Sequence, residues 1–266
     1  MTILLDGRRL ADKMARRSAG KFKNVGKLVA VLVGDNPASV LYLKKKKELA
    51  EKLGVKFELV KLPASSSTKV VIAKIHQLND DKRIAGIIVQ LPLPKGLDTD
   101  VIVNAVVPEK DVDGLTDENI LSGKVLPATA AGILALLKEY KIDWRDKRIG
   151  LVGFTRLLNL PLSLHFVRAG NPVVVLQKGA KNWAELKQAD IVITAVGRAG
   201  LIKGSQIKTG AVVVDAGVSQ VKGKLKGDCD FVTVAKKADY ITPVPGGVGP
   251  MTVISLLGNL LNLAKK

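Results

Sequence analysis

The chain has 266 residues, 47% of them hydrophobic, and a formal charge of +18 at pH 7. That length and apolar fraction suffice for a buried core in one large or two ordinary domains and exclude a disordered chain. Cys229 is the single cysteine and His76 and His165 the two histidines, which excludes an internal disulfide and a Cys/His zinc cluster.

The first segment, MTILLDGRRLADKMARR, sets arginines beside a short apolar run. The order is wrong and the run too short for a signal peptide or membrane anchor, so a soluble cytoplasmic protein is expected. Short β-branched runs then alternate with longer segments of helical period, the pattern of an α/β fold with largely parallel, doubly wound sheets. LVAVLV (28–33), FELVKL (57–62) and GIIVQL (86–91) are predicted strands, with helices over 37–53 and 68–78 between them. The stretch 111–131 lacks a strand run and is rich in Gly, Pro, Ser and Asp, which puts the crossing between two domains near Pro127. A second doubly wound series follows with IGLVGF (149–154), PVVVLQ (172–177), DIVITAV (190–196) and AVVVDAGV (211–218). The last segment, 250–266, carries Ile254, Leu257, Leu260, Leu261 and Ala264 at helical spacing. Ligands of such sheets bind beyond the carboxyl ends of the strands, where the chemistry-bearing strings should gather.

Four strings stand out. In GDNPASVLYLKKKKELAEKLG, Tyr42 and Lys46 lie four apart and share a helix face, so a ring that can stack stands beside an amine that can exchange protons. Lys44 to Lys47 also suit a solvated helix face and Tyr42 a half-buried anchor. VQLPLP follows a strand, with two prolines stiffening the exit and Gln90 offering both a donor and an acceptor; an ordinary strand-to-loop turn has the same shape. PEKDVDG places two aspartates in one loop, but the further acids of a calcium loop are missing, so Asp113 better suits the polar edge of a guanidine-like ring. TPVPGGVGPMT (242–252) is the most specific, because three prolines and three glycines make a rigid loop whose backbone can approach a ligand closely.

In this order the four strings resemble the bifunctional methylenetetrahydrofolate dehydrogenase/methenyltetrahydrofolate cyclohydrolase family, from about Asp6 to the last helix. The resemblance implies a folate-binding catalytic domain over 1–126, completed by the terminal helix 250–266. It implies a Rossmann-like NAD(P)-binding domain over 127–249, with the folate site in the cleft between them. It makes Lys46 the catalytic lysine, Tyr42 the ring packed on folate, Gln90 the residue orienting the lysine, and Asp113 the anchor of the pterin edge. Pro243, Pro245, Gly246 and Gly247 would line the folate, and Gly153, Phe154, Thr155, Arg156, Lys178, Gly197 and Val218 the cofactor. It further implies NADP as cofactor, with NAD as the looser option, no metal, a homodimer, and a place in one-carbon metabolism that includes purine biosynthesis. Hydrolysis of the methenyl cation needs water activation and proton movement, work for a lysine acted on by burial or by neighbouring charge from Lys45 and Lys47.

The cofactor strings depart from the family pattern. Gly153, Phe154 and Thr155 stand where the family has Gly-Arg-Ser, Asn159 and Leu160 replace a glycine and a lysine-like residue, and Gln177 and Lys178 replace His-Ser. Pro127, Ala128, Thr129 and Ala130 stand for Pro-Cys-Thr-Pro, after a shortened loop. Three readings follow: the bifunctional enzyme, a cyclohydrolase with a degenerate nucleotide site, and a basic nucleic-acid-binding protein on the same fold. Aromatics are only 4% of residues and no zinc-finger spacing or RNP-like string occurs, so stacking platforms for nucleic acid are few. The positive surface instead suits acidic, polyglutamylated folates, and no membrane partner is expected.

Overall fold

The computed structural model describes residues 2–177, 179–180 and 183–265. The first half of the chain forms β1 (Ile3–Leu4), α1 (Gly7–Ser18), β2 (Lys27–Val33), α2 (Pro37–Lys52), β3 (Phe57–Leu62), α3 (Thr68–Asp80) and β4 (Ile84–Val89). Next come α4 (Thr99–Asn104), α5 (Asp117–Ser122), α6 (Ala128–Glu139), β5 (Ile149–Val152), α7 (Asn159–Arg168) and β6 (Val173–Leu176). The remainder forms β7 (Ile191–Thr194), β8 (Val212–Asp215), β9 (Ser219–Val221), β10 (Lys224–Lys226), α8 (Phe231–Ala235), β11 (Tyr240–Ile241) and α9 (Val248–Leu263). Among the described residues no helix is long and apolar enough to cross a membrane.

The chain divides into two compact units, one of residues 14–128 with 253–266, the other of 1–13 with 129–252. The first is built on a parallel sheet of order β3-β2-β4. Strand β2 is buried on both faces, as its unbroken apolar run requires. Leu28, Ala30 and Leu32 pack on one side with Leu43, Ala50, Leu256, Leu257 and Leu260. The alternate residues Val29, Val31 and Val33 pack on the other with Val71, Ile75, Leu78 and Ile102, the two-residue period of a strand made visible. Helix α2 starts where Asn36 Oδ1 accepts from the Ala38 and Ser39 amides and Pro37 supplies a fixed φ in the first turn.

The second unit holds a six-stranded parallel sheet of order β1-β11-β8-β7-β5-β6. Because β6 lies on one side of β5 and β7 on the other, strand order reverses at β5, which opens a crevice at its carboxyl end. Val152, Val192, Val213 and Ile241 are buried in one core cluster with Leu186, Ile202 and Val234.

Several boundaries differ from expectation. Residues 1–13 belong with the six-stranded sheet rather than with the unit that follows them, because β1 pairs with β11 through Ile3–Tyr240 and Leu4–Ile241. Two residues of strand are too few for a hydrophobic pattern to reveal. The terminal helix begins at Val248, and the predicted strands near 154 and 218 end earlier, at Val152 and Asp215, so Gly153 and Ala216–Val218 lie in turns. The β9–β10 hairpin was not expected; Lys222 and Gly223 turn it with φ of 50° and 75°, the primed geometry that suits twisted strands.

Candidate active site

On α2 the buried positions are Ser39, Leu43, Lys46 and Ala50, so the period that packs the helix onto the sheet also carries one lysine inward. Lys46 Nζ stands 3.4 Å from Asp113 Oδ2, and the two side chains are 7% and 14% exposed. Burial pushes the Asp113 carboxyl above its ordinary value, the Lys46 charge draws it down, and Asp111 adds a further upward push. An ammonium and a carboxyl that resists ionisation, held together away from water, form a pair between which a proton can be moved.

The two acids of KDVDG are separated in role. Asp111 Oδ2 accepts from the Thr116 amide at 2.8 Å and from Asn119 Nδ2 at 3.0 Å, which shapes the loop, and only Asp113 faces the lysine. Gln90 continues β4, its amide N–H donating to Val31 O. Its Nε2 donates to Leu91 O at 2.7 Å, while Oε1 is buried and has no hydrogen-bond partner among the described residues. A buried acceptor left unpaired in a site is an opening for a donor on a ligand.

Tyr42 lies half-buried one turn before Lys46, and burial raises its phenol above the usual value. The neighbouring lysines are turned outward: Lys45 Nζ sits 5.9 Å from the Tyr42 ring centroid, Lys44 reaches Glu48 at 4.0 Å, and Lys47 reaches Glu51 at 3.7 Å.

In the other unit, the loop 242–247 joins β11 to α9. The Gly247 amide donates to Pro243 O, the Arg8 amide donates to Gly246 O, and Gly246 adopts φ of 116°, which a residue with a side chain would resist. Pro243, Pro245, Gly246 and Gly247 thus sit on a backbone fixed at both ends of the turn.

The cofactor string lies at the strand-order reversal. Gly153, with φ of 90°, ends β5; Phe154 is 45% exposed and Thr155 is exposed beside it. Asn159, wholly buried, uses Nδ2 to bind Val152 O at 2.8 Å and Gly153 O at 2.9 Å, so the residue replacing the family's glycine ties the helix start to the turn. Gly197 follows β7 with φ of 72°, and Val218 follows β8 half exposed. These loops stand at the carboxyl ends of three adjacent parallel strands, the place where open α/β sheets take their ligands. Arg156 is half-buried near the same turn, and Lys178 lies outside the described residues.

The geometry defines an α/β protein with a crevice of dinucleotide-binding type in one unit and a buried lysine–carboxylate pair in the other. Residues 5–113 match the catalytic-domain model of tetrahydrofolate dehydrogenase/cyclohydrolase, and residues 127–266 match its NAD(P)-binding-domain model. The chain belongs to the tetrahydrofolate dehydrogenase/cyclohydrolase family. It is 42% identical over 275 residues to the bifunctional protein FolD of Lactobacillus delbrueckii subsp. bulgaricus, covering 99% of this chain and 97% of that protein. It is 40% identical over 280 residues to bifunctional protein FolD of Aquifex aeolicus, covering 100% and 96%. Among solved structures, the bifunctional FolD methylenetetrahydrofolate dehydrogenase/cyclohydrolase of Campylobacter jejuni superposes with a TM-score of 0.96 at 36% identity, covering 100% and 99%. The Trypanosoma brucei enzyme, complexed with NADP cofactor and inhibitor, gives 0.94 at 29% identity, covering 99% and 97%.

Sequence reasoning located Lys46 and Asp113 but not their pairing, and it passed over Asp215, Asp228 and Thr242. The only signal for these was polarity within apolar strings: an aspartate ending AVVVD, another in GDCD, and a threonine before the prolines.

Proposed function

We propose that this chain oxidises 5,10-methylenetetrahydrofolate to the methenyl form and hydrolyses that cation to 10-formyltetrahydrofolate. The carrying observation is the buried Lys46–Asp113 pair at 3.4 Å, in a chain matched by both domain models of the family. Residues 14–128 with the terminal helix form the folate and catalytic part, and the six-stranded unit holds the nucleotide.

The nicotinamide dinucleotide supplies the acceptor for the hydride that leaves the methylene carbon. The protein's share of that step is placement, since a hydride moves only between carbons held in line. In the hydrolysis, water adds its oxygen to the methenyl carbon and gives up both protons as the formyl C=O forms, the bond from that carbon to N5 breaks, and one of those protons passes to N5 while the other is released. Lys46 is the group that relays the proton, Asp113 holds the lysine and the polar ring edge, Gln90 Oε1 accepts from a ligand or lysine donor, and Tyr42 packs on the folate. Pro243, Pro245, Gly246 and Gly247 line the folate with backbone.

NADP is the preferred cofactor in this reading. No acid stands at the end of PVVVLQKGAK to take ribose hydroxyls, and Lys178 and Arg156 bring positive charge for a 2′-phosphate. A lysine is a point charge without an arginine's planar fork, so the preference over NAD is modest. The folate is polyglutamylated, its extra carboxylates drawn to a chain of formal charge +18. The enzyme works as a cytoplasmic homodimer. Neither the cyclohydrolase-only nor the nucleic-acid reading gains an observation in its favour. Thermal-shift titration with NADP and NAD tests the cofactor reading: a larger shift with NADP, lost in Lys178→Ala, supports it, and no shift with either at millimolar concentration returns the cyclohydrolase-only alternative.

A further inference from the structure

Two buried carboxylates stand behind the turns that follow β7 and β8, and the chemistry above uses neither. Asp228 is wholly buried and Asp215 is 3% exposed. Asp228 Oδ2 accepts from Thr194 Oγ1 at 2.9 Å and from the Val196 amide at 2.6 Å, and its Oδ1 accepts from the Arg198 amide at 2.7 Å. Asp215 Oδ1 accepts from the Gly217 and Asp228 amides, both at 3.0 Å, and its Oδ2 accepts from the Cys229 amide at 2.7 Å. Thr242 Oγ1 accepts from the Asp215 amide at 2.7 Å, which ties the first residue of the TPVPGG loop to the same network.

The sequence is cut to admit these carboxylates. A Cβ on Gly217 would lie 2.1 Å from the Asp228 carboxyl carbon, and a Cβ on Gly227 would lie 2.1 Å from Asp215 Oδ2. A buried carboxylate is costly to desolvate, and burial indeed raises Asp215 to about 6. What the two acids obtain in return is control of direction. The amides on either side of Gly197 both turn onto Asp228, which fixes the peptide planes of that turn. Asp215 fixes the Gly217 amide, one residue before Val218, and holds the Asp228 backbone in register with it.

We propose that Asp228 is a positioning residue for the dinucleotide, setting the Ala195–Gly197 turn through Thr194, Val196 and Arg198 while Asp215 locks the Ala216–Val218 turn to the same frame. The proposal rests on the assignment of Gly197 and Val218 to the cofactor.

The test is Asp228→Asn in the full chain, which keeps the shape but turns an NH2 group toward at least one donor. Loss of a hydrogen bond to a charged acceptor predicts a rise of about tenfold or more in KM and Kd for NADP. KM for methylenetetrahydrofolate and kcat/KM for methenyl hydrolysis should stay within about twofold, since a turn-positioning role acts on one ligand only. A folded Asp228→Asn protein with unchanged NADP affinity, or with equal losses in both activities, overturns the proposal. If that variant does not fold, Thr194→Val decides: about a threefold selective rise in KM for NADP supports it, and no rise refutes it. Absence of NADP and NAD binding by the unmodified chain would instead remove the cofactor assignment on which the proposal stands. Binding that is normal in the unmodified chain and unaltered in both variants removes the positioning role alone.

Discussion

Replacing Lys46 with Met keeps much of the stem and removes the amine. At 3.4 Å and an effective dielectric of about 20, the lost attraction to Asp113 is on the order of 5 kcal/mol, near the usual 3–5 kcal/mol for breaking a buried pair. Asp113 then has burial and Asp111 still raising it and no longer the Lys46 charge and hydrogen bond lowering it, so its carboxyl is pushed further upward than in the unmodified protein. A carboxyl with a raised folded pKa gives stability that is present at low pH and declines as pH rises above the unfolded value. In the variant this decline continues through a wider window than in the unmodified protein, at about 1.4 kcal/mol per pH unit. Urea melts between pH 5 and pH 8, at about one-unit steps, should therefore show a stability gap that widens with pH. Adding Asp113→Asn should abolish the widening. Methenyl hydrolysis, followed by absorbance, should fall by about a thousandfold, within the range for removal of a general acid–base group. Near-normal hydrolysis, or a gap that does not change with pH, would refute the pairing of structure and role.

Asp113→Ala should weaken folate binding by roughly 1.5–3 kcal/mol, read by calorimetric titration, because a buried donor loses its charged acceptor; unchanged affinity would count against the assignment. Asp215, raised to about 6 from 3.8, favours the folded state most at low pH and loses that contribution between those values. The stability of the unmodified protein relative to Asp215→Asn should accordingly shrink by about 2 kcal/mol from pH 4 to pH 7, and a constant difference in chemical melts would contradict the burial argument. Affinity for folates should rise with glutamate number and fall with salt, since exposed charges are screened beyond about 10 Å at 0.1 M. If single-stranded or duplex nucleic acid bound more tightly than folate at physiological salt, the basic surface would need another explanation.

The parts of the fold that follow from side-chain period were legible. β2 alternates between two cores and reads as an apolar run, and α2 carries its cap, its proline and its buried stripe in local sequence. What was not legible depends on long-range pairing: β1 is two residues of strand held by β11 237 positions later, with Ile3 opposite Tyr240. The site divides in the same way. Lys46 and Asp113 stand in strings unusual enough to be noticed, yet their contact crosses 67 residues and no spacing rule could predict it. Asp111 and Asp113 look equivalent in KDVDG, and only the Thr116 amide and Asn119 side chain show that the first is structural. The carboxylates at Asp215 and Asp228 were hidden because, apart from the Thr194 hydroxyl 34 positions from Asp228, the donors they accept from are backbone amides, which leave no mark in a sequence.

The most direct test of the whole account is a single time course with purified protein, methylenetetrahydrofolate and NADP, following NADPH, methenyltetrahydrofolate and 10-formyltetrahydrofolate together. A chain that runs both steps yields NADPH equal to the sum of methenyl and formyl products, with formyl formed faster than the uncatalysed rate, and its Lys46→Met variant yields no formyl product above that rate. NADPH formation with no catalysed hydrolysis by the unmodified chain, or hydrolysis of added methenyltetrahydrofolate with no NADPH, would contradict it.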